Sequence, residues 1–215
     1  MITDALKYFQ ETEQIVRACF SNVDDFIFPL HRDPLPIFVS SHSDEESFQA
    51  EYSAWHKSNE DWLTKWHQNQ KAYFEATTSR SFACGFILQV AYNAIYDFSS
   101  NTVVHSDFSD IIKPKQKPVK YCMGREIRGI PLGLLIYAGR NQFCHATDGK
   151  LNPIGQRVFE FLAIRSDSGF ASGGIDKCFD LTNTHLHTFA HNIVALLPWH
   201  SYDDYIKDMQ ALSWA

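Results

Sequence analysis

Residues 80–98, RSFACGFILQVAYNAIYDF, constrain the fold of this chain more than any other stretch. The run is far longer than a typical strand. Its apolar residues fall on nearly every side of a helical wheel, and a helix that is apolar all round is buried among other elements. Polar residues interrupt it too often for a transmembrane span. It therefore predicts a central helix surrounded by amphipathic ones, and the rest of the chain supplies them. Residues 3–20 place Leu6, Phe9, Ile15, Val16, Cys19 and Phe20 at roughly helical spacing. Pro29, Pro34 and Pro36 then predict a loop, because proline lacks the amide donor that a helix needs. Ser43 and Glu46 fit a capping box that opens a long helix. Along it Phe48, Tyr52, Trp55, Asn59, Trp62, Trp66, Asn69 and Tyr73 alternate steps of four and three. That is a heptad seam. It reads as an amphipathic bundle helix, with a base-stacking aromatic stripe as the alternative. Residues 99–129 read as irregular, with an extended piece at 102–105. Further helices are expected from about Pro131 to Ala146, from Asn152–Pro153, over 183–197 up to Pro198, and from Ser201 with Asp204 in its first turn. The sum is an all-α bundle of about seven helices with long connecting loops. No strand–helix alternation is present, and residues 1–215 read as one domain.

Composition narrows the function. A chain that is 45% hydrophobic and 20% charged folds as a globule, and 14% aromatics imply a core built on large rings. A net charge of -6 excludes a uniformly basic surface, so any nucleic-acid contact needs a local positive patch. One exists in residues 113–128, where Lys113, Lys115, Lys117, Lys120, Arg125 and Arg128 face a single acid, Glu126. This segment is the candidate RNA-backbone contact. The five cysteines are scattered without a CxxC pair, which suits reduced thiols in a cytoplasmic protein. The start, MITDALKYFQETEQ, has no basic and apolar leader pattern. The glycine-bearing stretch SDSGFASGG lacks a phosphate-loop signature and reads as a flexible connection.

The candidate site is GRNQFCHATD, residues 139–148, at the end of an apolar helix. At about 100° per residue, Leu132, Leu135, Ile136, Gly139 and Phe143 share one face. Leu134, Ala138, Asn141 and His145 share the opposite one, with Arg140 on the flank. One apolar side suits the bundle core. The other needs a cover, for which a second protomer is the natural candidate. Asn141 and His145, at i,i+4, are placed for the amide to orient the imidazole. Arg140 and His145 diverge by about 140° with about 7.5 Å of rise. A guanidinium grips phosphate with a permanent forked charge, and an imidazole exchanges protons near neutrality.

Arg140-Asn141-Gln142-Phe143-Cys144-His145 resembles the R-N-x-x-x-H form of the motif of HEPN-domain proteins. The resemblance covers residues 130–165 and extends to the all-α class. It implies a metal-independent endoribonuclease or RNA-binding effector of the toxin–antitoxin or phage-defence type, working as a homodimer with no cofactor. It further implies a possible cognate antitoxin. In that scheme a ribose 2′-hydroxyl attacks the adjacent phosphate, His145 transfers the proton, Arg140 stabilises the phosphorane and Asn141 supports both. Many toxin members carry an aromatic residue two positions after the histidine, where this chain has Thr147. Two alternatives stand beside it. One is a non-catalytic helical dimerisation module. The other is a metal-dependent hydrolase resembling DinB-like bundles, which would use His187 and His191 at i,i+4.

Overall fold

The computed structural model describes residues 4–31 (side chains to 23), 36–41, 44–148, 150–164, 174–183, 188–212 and 214. Among these residues the chain forms eight α-helices: α1 (Ala5–His31), α2 (Glu45–Ser58), α3 (Glu60–Glu75), α4 (Thr77–Phe98), α5 (Leu132–Cys144), α6 (Pro153–Ile164), α7 (Ala190–Leu196) and α8 (Tyr202–Gln210). The only ladder among them is the antiparallel pair β1 (Glu126–Ile127) and β2 (Ile130–Pro131). Arg128 and Gly129 join these strands, and both have positive φ (52° and 70°), as a two-residue hairpin turn of this hand requires. The fold is all-α, as the sequence predicts.

The apolar run 80–98 takes the central place expected of it. α4 packs against α1, α3, α5 and α7, with Cys84, Ile87, Leu88, Ala91, Ala94 and Ile95 fully excluded from solvent. α1 lays Phe9, Val16, Phe20 and Val23 on the core, whereas Leu6 and Ile15 face outward. The crossing of α4 and α5 is close because glycine stands at it on both helices. A methyl group on Gly139 would lie 2.9 Å from Leu88 and 3.1 Å from Ile193, and one on Gly85 would meet the Phe143 ring. α6 covers α5, and α8 packs on α1.

Four expectations change. First, α1 runs past Pro29 to His31 rather than ending near residue 20. A proline so near the C-terminus removes only one helical hydrogen bond. Second, the long helix breaks at Asn59, whose side-chain amide donates to Trp55 O at 2.7 Å. That local bond competes with the backbone ladder. The N-cap is Asp44, which accepts from Ser47 N at 2.8 Å, while Ser43 lies outside the described residues. Third, the seam is half-buried rather than a core contact: α3 packs on α1 and α4, yet no residue of α2 or α3 is buried. The rings pack on one another instead, Phe48 on Tyr52 and Trp62 on Trp66, with Phe38 edge-on to Phe48 and Tyr52. Fourth, residues 102–105 form no strand. The segment is held by Asn101, whose amide donates to the carbonyls of Val119 (2.7 Å) and Cys122 (3.1 Å), and by two 3-10 turns, Ser106–Phe108 and Lys117–Tyr121. Downstream, α6 starts at Pro153 with Asn152 accepting from Gly155 N at 2.8 Å, and Ser201 caps α8, both as expected. The helix foreseen over 183–197 is shorter, Ala190–Leu196. The SDSGFA segment and residues 184–187 lie outside the described residues.

The second apolar side of α5 needs no partner subunit for cover. Leu134 and Ala138 are fully buried within this chain, where α6 packs on α5.

Candidate active site at the end of helix α5

α5 ends in one irregular turn, because His145 is its C-cap and donates its backbone amide to Asn141 O at 3.1 Å. The turn folds Asp148 back, with its amide on His145 O at 3.0 Å. This closure brings His145 Nδ1 to 2.7 Å from Asp148 Oδ2, with both side chains more than half exposed. A carboxylate on Nδ1 fixes the imidazole tautomer and leaves Nε2 to exchange a proton with a substrate. The expected partner of His145, the Asn141 amide, is turned elsewhere: Asn141 Oδ1 accepts from Arg140 Nη1 at 2.9 Å.

Arg140 points toward α4. Its Nε donates to Gln89 Oε1 at 2.8 Å, and its guanidinium lies 4.5 Å from the centroid of Tyr92. No hydrogen bond or ion pair among the described residues joins Arg140 to His145. The divergence anticipated from helix geometry is therefore real, and Asn141 is the residue between them.

Asn141 and His145 line a cleft of about 600 Å³ between the end of α5 and the start of α6. Tyr137 and Gln142 from α5 complete one wall. Asp148, Lys150, Asn152 and Pro153 form the other. Burial pushes the Tyr137 phenol up, aided by neighbouring Tyr92, while Asn141 and Arg140 act against the shift. Tyr137 is thus held as a neutral hydroxyl. The cleft offers one proton-exchanging imidazole, its orienting carboxylate, the Lys150 ammonium and amide donors. That set suits an anionic ester.

The six basic residues of 113–128 divide into two groups. Lys113, Lys115 and Lys117 are exposed, and Lys120 is half-buried. Lys120 Nζ donates to Tyr96 O at 2.6 Å. Arg125 and Arg128, expected as RNA contacts, both engage carboxylates that hold the fold together. Arg125 forms a fork with Asp208 (Nε–Oδ1 2.8 Å, Nη2–Oδ2 2.7 Å), clamping the hairpin to α8. Arg128 donates from Nη1 to Leu162 O at 2.9 Å and to Asp176 at 2.8 Å, with its side chain only 11% exposed. A guanidinium with a fixed carboxylate has little charge left for a phosphate.

His191, one of the two histidines of the metal-hydrolase alternative, is half-buried. Its Nε2 is buried and unbonded, and it sits beside the Arg80 guanidinium. A neighbouring permanent cation opposes a metal ion. His187 lies outside the described residues, and no group of three metal-ligating side chains occurs among those that are described. All five cysteines are free thiols. Two participants were missing from the sequence reading. Asp148 carried a signal, since it stands three residues after His145 in the turn that ends the helix. Gln89 carried none, because only the packing of α4 on α5 brings it to Arg140. Compared with models of protein families, with curated proteins and with solved structures, the chain finds no match in any of the three.

Proposed function

We propose that this protein is a metal-independent, HEPN-like endoribonuclease whose proton-transfer group is His145. The observation that carries the reading is the His145–Asp148 pair opening into a cleft that also presents Lys150 and Asn152. In this reading His145 Nε2 takes the proton of a ribose 2′-hydroxyl while Asp148 holds Nδ1–H in place. The 2′-oxygen forms a bond to the adjacent phosphorus, the bond to the 5′-oxygen breaks, and that oxygen leaves with a proton from solvent in the open cleft. The products are a 2′,3′-cyclic phosphate and a 5′-hydroxyl. Lys150 and the Asn141 amide supply positive charge and a donor to the phosphate. Arg140, turned to Gln89 and Tyr92, does not line the cleft and loses the phosphorane-stabilising role expected of it. A homodimer belongs to this reading, but it must use a face other than the Leu134–Ala138 side of α5, which α6 already occupies.

The test is cleavage of labelled RNA by purified protein in the presence of EDTA, with product ends identified by mass spectrometry. His145→Ala is expected to abolish cleavage. Asp148→Asn is expected to lower kcat by about 10- to 100-fold, the usual effect of losing an orienting partner. Wild-type protein that binds RNA yet never cleaves it would leave a non-catalytic binding module as the function.

A further inference from the structure

Several arginines and lysines of this acidic chain pair with carboxylates among the described residues. Arg17 pairs with Asp203, Arg125 with Asp208, Arg128 with Asp176, Arg157 with Asp110 and Lys177 with Asp180. Lys117, Lys120 and Arg140 form no ion pair among the described residues, and they gather on two neighbouring tyrosines of α4. Lys117 Nζ and Lys120 Nζ lie 5.3 Å and 5.5 Å from the centroid of Tyr96, and Arg140 lies 4.5 Å from that of Tyr92. Tyr92 and Tyr96 are nearly parallel, 6° apart with centroids at 6.4 Å. Tyr92 also adjoins Tyr137 at 6.1 Å, and Tyr137 is a wall of the cleft that holds His145. The next acid in the chain, Asp97, acts on Tyr8 on the α1 side of α4.

We infer that these residues form an accessory ridge that binds an unpaired RNA strand and leads it into the cleft, with Lys117, Lys120 and Arg140 on its phosphates and the exposed Tyr96 ring against a base. The chemistry follows from the arrangement. Cations left without carboxylates in a chain of net charge -6 retain their field for a polyanion. A tyrosine ring at the surface gains stacking only from a base whose face is free, which a duplex does not offer. Lys120 commits one of its three donors to the Tyr96 carbonyl, so its ammonium is held in place with two donors left. The tyrosine hydroxyl likewise favours the charged form of Lys117. This ridge rests on reading the cleft as an RNA site, but its test is independent of cleavage.

The experiment is fluorescence anisotropy with a labelled 12-residue oligouridine, on full-length protein. Lys57→Ala, at an exposed lysine of α2, is expected to bind as the wild type does. The double variant Lys117→Ala/Lys120→Ala is expected to bind at least about tenfold more weakly. Its log-affinity against log-salt slope should be shallower by about 1.4, two single-strand phosphate contacts at about 0.7 each. Tyr96→Leu should weaken binding without changing that slope. A blunt RNA duplex of equal length should compete poorly. Unchanged affinity in the double variant, at an unchanged melting temperature, overturns the ridge, as does a duplex that competes as well as the strand. Ridge-dependent binding without cleavage sinks only the nuclease reading. Cleavage that ignores the double variant sinks only the ridge.

Discussion

Arg80 and His191 show what a buried residue pair costs when no acid among the described residues accompanies it. Arg80 is 3% exposed in the first turn of α4. Its guanidinium lies 3.4 Å from the Tyr73 ring centroid and donates to Tyr73 O at 2.7 Å, which disperses the charge without cancelling it. Burial, and then the Arg80 charge, holds His191 below the ordinary imidazole range. The sign follows directly. The folded state resists the proton that the unfolded chain accepts, so this contribution to stability is present above about pH 6.5 and is lost as pH falls from there. Urea midpoints are expected to drop between pH 7 and pH 5, and His191→Gln should flatten that interval. An equal slope in wild type and variant would show that the pair is silent. At this same scale the motif was legible but its bonding was not. Arg140, Asn141 and His145 are recognisable as residue types suited to phosphate and proton chemistry. Which of them Asn141 serves is decided by rotamers and by Gln89, residues away on another helix.

Helix packing carries the next level of prediction. Gly139 in α5 faces Leu88 and Ile193, both fully buried. An alanine there would gain about 1 kcal/mol of helix propensity, yet its methyl would press on side chains in a close-packed core, at about 1–3 kcal/mol. Gly139→Ala is therefore expected to lower the melting temperature by several degrees in a thermal scan. Gly85→Ala should be milder, because Phe143 is only partly buried and its ring can swing. α1 was readable from a core-facing stripe at helical spacing, α4 from a run apolar on nearly every side, and α6 and α8 from their start signals at Pro153 and Ser201. Pro29 and Asn59 misled in opposite directions. A proline predicts an end that the last turns of a helix can pass at the loss of one hydrogen bond, and an asparagine in a regular seam gives no warning of back-bonding until its neighbours are placed.

At the scale of the whole molecule, burial is unevenly shared. α4 and α5 are lined with fully excluded side chains, while α2 and α3 bury none. Local stability follows buried contacts. Amide exchange followed by mass spectrometry is expected to show α2 opening by local fluctuations insensitive to mild urea. α4 should exchange only through global unfolding. Protection of α2 equal to that of α4 would mean that its seam is covered by a partner.

Sequence alone determined the helical class, the central position of residues 80–98, the absence of a general basic surface, and the stretch that carries the candidate site. Each of these follows from composition or from a period along one chain. Tertiary structure decided the rest. It committed Arg125 and Arg128 to Asp208 and Asp176, turned Arg140 to Gln89 and Tyr92, buried the second side of α5 under α6, and gave His145 to Asp148. These outcomes depend on which side chains meet across helices distant in sequence. A helical wheel fixes the direction in which a residue points but not the neighbour it will find there.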